Sequence, residues 1–118
     1  MLLVEREFVI LPHFEEKWKK LGLTDDDLRI LENEILKAPE QPAVIPGTGG
    51  IRKIRVKLPG IGKRGGARVL YVDFVHASKI YFLTAYAKSR QTDLIPLERK
   101  SLKRLVDILR EEVMRTED

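Results

Sequence analysis

Hydrophobic and polar positions follow two different periods along this chain, and the periods divide it into strands and helices. Four apolar runs suit β-strands, namely residues 2–11, 51–58, 67–75 and 79–87. They combine β-branched and aromatic residues over strand-like lengths. Because short connections separate the last three runs, we expect those strands to pair as an antiparallel meander.

Three other segments carry apolar residues every three or four positions, which is the spacing of an amphipathic helix. The first covers residues 12–22 and ends on a glycine, and the second covers residues 24–38, with Thr24 as a suitable N-cap. The third begins near Pro96, a residue type that favours the first position of a helix. The chain therefore contains four strand-like and three helix-like segments.

The resulting order, β-α-α-β-β-β-α, predicts an α+β fold in which helices pack on one face of a small antiparallel sheet. A chain of 118 residues has the usual length of one domain, so residues 1–118 are expected to form a single domain. The absence of cysteine excludes disulfides and thiolate metal sites. Charged residues interrupt the apolar N-terminus, so we expect no signal peptide, no membrane span and a cytoplasmic location.

Positive charge is concentrated in the middle of the chain. Residues 47–90 contain ten Lys or Arg and one acid, Asp73, a net charge of +9, whereas the remainder carries −5. Within residues 51–58, alternation places the cations on one strand face: Lys53, Arg55 and Lys57. Because solvated faces usually mix both signs, this segregation favours a nucleic-acid partner over an ordinary exposed face.

Two neighbouring segments add candidate contacts to nucleic acid. Residues 60–65, GIGKRG, match the letters of a dinucleotide-binding motif, but a strand follows instead of a helix. We interpret them as a flexible loop whose Lys63 and Arg64 can close over a phosphate. Tyr86, Lys88 and Arg90 combine an aromatic ring with two cations, which suits stacking on a base beside its phosphate.

Histidine and metal chemistry receive little support from the sequence. His13 and His76 have no partner at the spacing of metal ligands or of a general base and its orienting group. The acidic residues lie mainly at helix caps and surfaces, so no metal site is predicted.

Two stretches resemble the RelE/HigB superfamily of bacterial type II toxins, specifically its HigB-like branch. They are GTGGIRKIRVKLPGIGKRGGARVLYVDF at residues 47–74 and YFLTAYAKSRQTDL at residues 81–94. Members of this family cut messenger RNA in the ribosomal A site and are neutralised by a co-encoded antitoxin. The resemblance implies a RelE-like fold, ribosome-dependent mRNA endonuclease activity and no cofactor. It also implies a cognate antitoxin, the ribosome and mRNA as partners.

The resemblance further implies a catalytic set of basic residues: Lys53, Arg55, Arg68, Lys88 and Arg90. In cleavage by a ribose 2′-hydroxyl, Lys53 is the candidate general base, while Arg55 and Arg68 hold the phosphate. The general acid is left open between Lys88 and Arg90. Charge and position add a second, RNA-contacting set: Arg52, Lys57, Lys63, Arg64 and Tyr86.

Two positions depart from the family pattern. Some relatives have an arginine directly after the residue that matches Lys88 and a tyrosine seven positions beyond it. Here these positions are Ser89 and Ile95, so Arg90 and Tyr86 are the candidate substitutes. Two other functions are compatible with the basic sheet, namely a non-catalytic RNA- or ribosome-binding module and a protein that docks an acidic partner.

Overall fold

A computed structural model describes residues 5–60, 66–91 and 93–116 of the chain. Its elements occur in the predicted order: β1 (Glu7–Ile10), α1 (Pro12–Lys20), α2 (Asp25–Lys37), β2 (Arg52–Val56), β3 (Ala67–Phe74), β4 (Lys79–Ala87) and α3 (Pro96–Thr116). The α+β class is therefore confirmed. The first strand is shorter than predicted, since its described part begins at Glu7.

The four strands form one sheet in the order β1-β4-β3-β2. The meander is confirmed, because β2 pairs with β3 and β3 pairs with β4 in antiparallel register. One detail of the prediction was wrong: β1 pairs with β4 in parallel, so the sheet is mixed. Both α1 and α2 lie between β1 and the meander, and such a crossover is the connection that parallel pairing requires.

The helices cover both faces of the sheet, which corrects the expectation of a single covered face. On one face, Phe14 and Trp18 of α1 and Ile35 of α2 pack with Tyr71 and Phe82. On the other, α3 packs against alternate strand residues: Leu70, Val72, Leu83, Val106 and Leu109 belong to this second core. The cause is β3, which is apolar on both faces and needs cover on each.

Local sequence signals fix where the helices begin. Thr24 and Asp27 form the capping box of α2, in which each side chain accepts a hydrogen bond from the other residue's backbone N–H. At α3, the Glu98 carboxylate accepts a hydrogen bond from the backbone N–H of Ile95, just before Pro96. None of the described helices is long and apolar enough to cross a membrane.

Candidate functional site

One end of the sheet brings three of the predicted site residues into a row. Arg55 of β2 lies opposite Arg68 of β3, and Arg68 lies opposite Tyr86 of β4. Directly opposed residues project from the same face, with their Cβ atoms about 4.5–5.5 Å apart. Tyr86 also packs against the second core, so the row lies on the face that α3 covers further along the sheet.

Arg68 is buried at the centre of this row. The residue is only 4% exposed, and its Nη1 donates a hydrogen bond to the carbonyl oxygen of Ala67 at 3.1 Å. Among the described residues, no carboxylate forms an ion pair with its guanidinium. A buried cation without a counter-ion is unfavourable, and an anionic ligand would relieve that cost.

Tyr86 offers a hydroxyl next to this cation. The hydroxyl is buried and has no hydrogen-bond partner among the residues that the structure describes. Burial raises the pKa of Tyr86, and Asp93 raises it further, while Arg68 lowers it. The phenol therefore stays protonated at neutral pH and can donate a hydrogen bond to a bound anion.

Lys53 lies two residues before Arg55 and projects from the same face of β2. Its Nζ is 4.0 Å from Oδ1 of Asp93, and its side chain is 33% exposed. Asp93 precedes α3 and also accepts a hydrogen bond from the backbone N–H of Leu94 at 2.8 Å. Asp93 was not among the predicted site residues, and the one sequence signal for it is that it is the first acidic residue after β4.

Lys88 and Arg90 occupy a turn directly after β4. The turn is held to the start of β3, because the backbone N–H of Lys88 donates to the carbonyl oxygen of Gly66 at 2.9 Å. Lys88 is half-buried and Arg90 is exposed. Both residues therefore lie at the end of the sheet that carries Arg68.

The residues of the predicted RNA-contacting set do not lie on one surface. Arg52 lies on the opposite strand face from Lys53, and its Nη1 donates to the carbonyl oxygens of Glu40 and Pro42 at 2.7 and 2.6 Å. Lys57 is exposed just beyond the end of β2. Lys63 and Arg64 lie outside the described residues, so their contribution stays a prediction.

A cavity of about 400 Å³ adjoins Tyr86 between α1, β4 and the start of α3. His13 lines it, with its Nε2 at 3.1 Å from Oγ1 of Thr84. No local sequence signal identifies this contact, because 71 residues separate the two side chains.

His76 lies in a 3₁₀ turn at the other end of β3. Among the described residues, no cluster of three or more His, Cys, Asp or Glu side chains is arranged to hold a metal ion.

Comparison with known proteins identifies the family. The profile described as "RelE toxin of RelE / RelB toxin-antitoxin system" matches residues 12–115. A solved structure of the E. coli toxin RelE, a double arginine-to-alanine mutant in the free state, is similar with a TM-score of 0.53 and 16% sequence identity. That similarity covers 75% of this chain and 88% of the other, and it supports the fold. Membership of the HigB-like branch stays a prediction. The profile match spans α1, α2, the three strands β2, β3 and β4, and all but the last residue of α3, so the chain belongs to the RelE toxin family.

Proposed function

We propose that this chain is the toxin of a type II toxin-antitoxin system, and that it cuts messenger RNA on the ribosome in the cytoplasm. The observation that carries the proposal is the row of Arg55, Arg68 and Tyr86, in which a buried cation and a hydroxyl without a partner among the described residues share one sheet face. In this proposal residues 1–118 form one toxin domain, consistent with a family match over residues 12–115.

The row is suited to hold the phosphate that is cut. Arginine is always charged at neutral pH and can donate two parallel hydrogen bonds to a phosphate. A phosphate beside Arg68 would supply the missing counter-ion, and the Tyr86 hydroxyl would donate to one of its oxygens. As the transition state forms, the phosphorus group gains negative charge, which these donors stabilise further.

The flanking lysines and arginine are placed for the proton transfers. Lys53, as general base in its uncharged amine form, takes the proton of the ribose 2′-hydroxyl, and the ammonium that results lies 4.0 Å from the carboxylate of Asp93. The O2′–P bond forms while the P–O5′ bond breaks, which leaves a 2′,3′-cyclic phosphate and a 5′-oxygen that needs a proton. Lys88 or Arg90 protonates or neutralises that oxygen. Protein side chains carry every step, so the proposed reaction needs no metal ion.

The same site defines the partners. The ribosome presents the message, and a cognate antitoxin keeps the cationic face from reaching it. Because opposite charge guides and orients association, we expect the antitoxin to present an acidic or apolar surface.

Cleavage on programmed ribosomes tests this proposal. The purified protein should cut an mRNA bound in the A site, and the upstream fragment should end in a 2′,3′-cyclic phosphate. Lys19→Ala serves as a matched control, because this lysine is exposed on α1 at the other face of the sheet. Ribosome binding without cleavage would favour the non-catalytic module, and neither binding nor cleavage would favour a protein that docks an acidic partner.

Salt dependence gives a second measurement. Residues 47–90 carry a net charge of +9, so binding to the ribosome should release counterions from its RNA. Affinity should therefore fall by orders of magnitude as the salt concentration rises from roughly 50 to 200 mM. Affinity that stays constant over this range would contradict a phosphate-binding role for the segment.

A further inference from the structure

Residues 47–50, which we call the glycine loop, take no part in the proposed cleavage, although they open the longer of the two stretches that resemble the toxin family. Gly47, Gly49 and Gly50 have φ angles of 78°, 79° and 118°, which glycine adopts without steric strain. None of the described residues accepts a hydrogen bond from their backbone N–H groups. Free N–H groups on neighbouring residues of such a turn are typical of anion-binding loops.

The rest of the fold holds the glycine loop in place. Thr48 is fully buried, and its Oγ1 donates to the carbonyl oxygen of Ile45 at 2.6 Å and accepts from the backbone N–H of Ile51 at 3.1 Å. From α3, Nη2 of Arg110 donates to the carbonyl oxygen of Gly49 at 2.7 Å. Because these contacts fix the loop before any ligand binds, an anion would meet a preformed surface.

Arg99 of α3 lies beside the glycine loop. Its Cδ is 3.7 Å from the position that a Cβ on Gly47 would take. Its Nε is buried without a hydrogen-bond partner, and no described carboxylate forms an ion pair with its guanidinium. Buried donors are normally satisfied within a fold, so an unsatisfied guanidinium beside free N–H groups marks a place for an acceptor.

The side of α3 that borders the glycine loop is cationic overall. Arg99, Lys103, Asp107 and Arg110 follow one another at spacings of four, four and three residues, which places them along one side of the helix. The Asp107 carboxylate accepts a hydrogen bond from Lys103 at 3.0 Å, and its Oδ1 is 4.0 Å from the position that a Cβ on Gly49 would take. Three cations and one acid give this side a net charge of +2, which favours an anionic ligand.

We propose that the glycine loop and Arg99 bind a second RNA phosphate, separate from the phosphate that is cut. Backbone N–H groups and guanidinium groups are both common donors to phosphate oxygens. The loop leads directly into β2, and a strand rise of about 3.3 Å per residue puts Gly50 roughly 10 Å from Lys53 and roughly 16 Å from Arg55. One phosphate cannot reach both places. The inference rests on the proposed function, since it names RNA as the ligand.

Ribosome binding at several salt concentrations tests the inference. Arg99→Gln should weaken binding by about tenfold and reduce the slope of log affinity against log salt concentration by about 0.7–1, the contribution of one phosphate contact. Arg99→Lys should keep the slope, because it keeps the charge. Arg29→Gln is the matched control, since Arg29 is an exposed arginine on α2, which packs on the other face of the sheet.

The source of the phosphate is separated by two arms of this measurement, ribosomes with and without a bound message. A reduced slope for Arg99→Gln in both arms assigns the phosphate to ribosomal RNA, and a reduction only with the message assigns it to mRNA. Equal slopes for Arg99→Gln and the unchanged protein in both arms would overturn the inference. The melting temperature and the cleavage rate at saturating ribosome concentration should not change, because Arg99 has no described partner and lies away from the cut.

NMR of the free toxin gives a result that does not depend on the ribosome or on cleavage. The probe is a short RNA oligonucleotide with 2′-O-methyl groups, which cannot be cut by 2′-hydroxyl attack. The amide signals of Gly47, Gly49 and Gly50 should shift to saturation in the unchanged protein and in Arg29→Gln, and much less in Arg99→Gln. Absence of these shifts in the unchanged protein would overturn the inference. A toxin that shows the shifts but does not cut mRNA on ribosomes would instead refute the proposed function, so the two failures are distinguishable.

Discussion

Two arginines on opposite ends of the same sheet differ in how their charge is compensated. Arg6 donates to both carboxylate oxygens of Asp73, at 2.7 and 3.2 Å, and the two side chains are 11% and 8% exposed. Arg68, at the other end of β3, is 4% exposed and donates to the carbonyl oxygen of Ala67. One end of β3 therefore carries a closed ion pair, and the other carries a buried cation that has no carboxylate partner among the described residues.

Two tyrosines repeat this difference. The Tyr71 hydroxyl donates to the carbonyl oxygen of Pro39 at 2.7 Å, whereas the Tyr86 hydroxyl has no partner among the described residues. Groups that are satisfied within the fold stabilise it, and groups that stay unsatisfied mark a place where a ligand can complete them. The comparison predicts that changes at the first pair of residues affect folding and that changes at the second affect activity.

The largest expected effect is on the closed ion pair. Asp73→Ala leaves Arg6 partly buried without a counter-ion and should lower the free energy of unfolding by about 3–5 kcal/mol. Chemical denaturation measures this loss, and the protein that remains folded should cut mRNA at the usual rate. Asp107→Ala, which breaks the exposed pair with Lys103, should change stability by no more than about 0.5 kcal/mol. Equal effects of the two substitutions would contradict the distinction.

The reverse result is expected at the open end. Arg55→Ala and Arg68→Gln should each lower the single-turnover cleavage rate by about 10²–10³, the usual loss when a donor to the transition state is removed. Arg55 is exposed, so its removal should change stability by no more than about 0.5 kcal/mol. Arg68→Gln should leave the melting temperature unchanged or higher, because it removes a buried charge that has no carboxylate partner in the described part of the chain. If the variants lose activity only because they unfold, these residues have a structural role and not a role in cleavage.

The local parts of the fold could be predicted from the sequence, and the long-range parts could not. Periodicity and capping residues were sufficient to predict the meander, the helices and the N-cap of α2 at Thr24. The parallel pairing of β1 depends on contacts such as Phe8 with Ile80, for which the local sequence carries no signal. The cover on the second face had one signal in the sequence, the apolar pattern of β3 on both of its faces, but the prediction still placed the helices on one face only.

The candidate site, like the fold, could be predicted from the sequence only in its local features. Residue type and strand alternation were enough to place Lys53 and Arg55 on one face. The burial of Arg68 and the approach of Asp93 to Lys53 depend on how β4 and the loop before α3 fold back. Arg52 was expected to contact RNA, and that role stays a prediction. In the structure its Nη1 donates hydrogen bonds to the carbonyl oxygens of Glu40 and Pro42. The alternation that selected Lys53 already placed Arg52 on the other face.

Tyr86→Phe tests the open end with a smaller change. Its hydroxyl has no described partner, so removing it should change the free energy of unfolding by no more than about 0.5 kcal/mol. Cleavage should fall by about tenfold to a hundredfold, since a hydrogen bond to a charged group is worth about 1.5–3 kcal/mol. Single-turnover rates and thermal melts on the same preparation measure both quantities. An unchanged cleavage rate would show that the Tyr86 hydroxyl takes no part in cleavage.

Tyr71→Phe is the matched change at a satisfied hydroxyl and should have the smallest effect. It leaves the carbonyl oxygen of Pro39 without its donor, so the free energy of unfolding should fall by about 1 kcal/mol while the cleavage rate stays unchanged.

Burial raises the pKa of Tyr71 from 10.0 to about 12. Below pH 10 the phenol is protonated in both the folded and unfolded states, and its stabilising contribution is fully present. Between pH 10 and about 12 the unfolded state loses this proton first, so the protein should lose stability as the pH rises. Urea denaturation across this range should show a shallower alkaline loss for Tyr71→Phe than for the unchanged protein, and equal slopes would show that the Tyr71 hydroxyl is not held protonated by the fold.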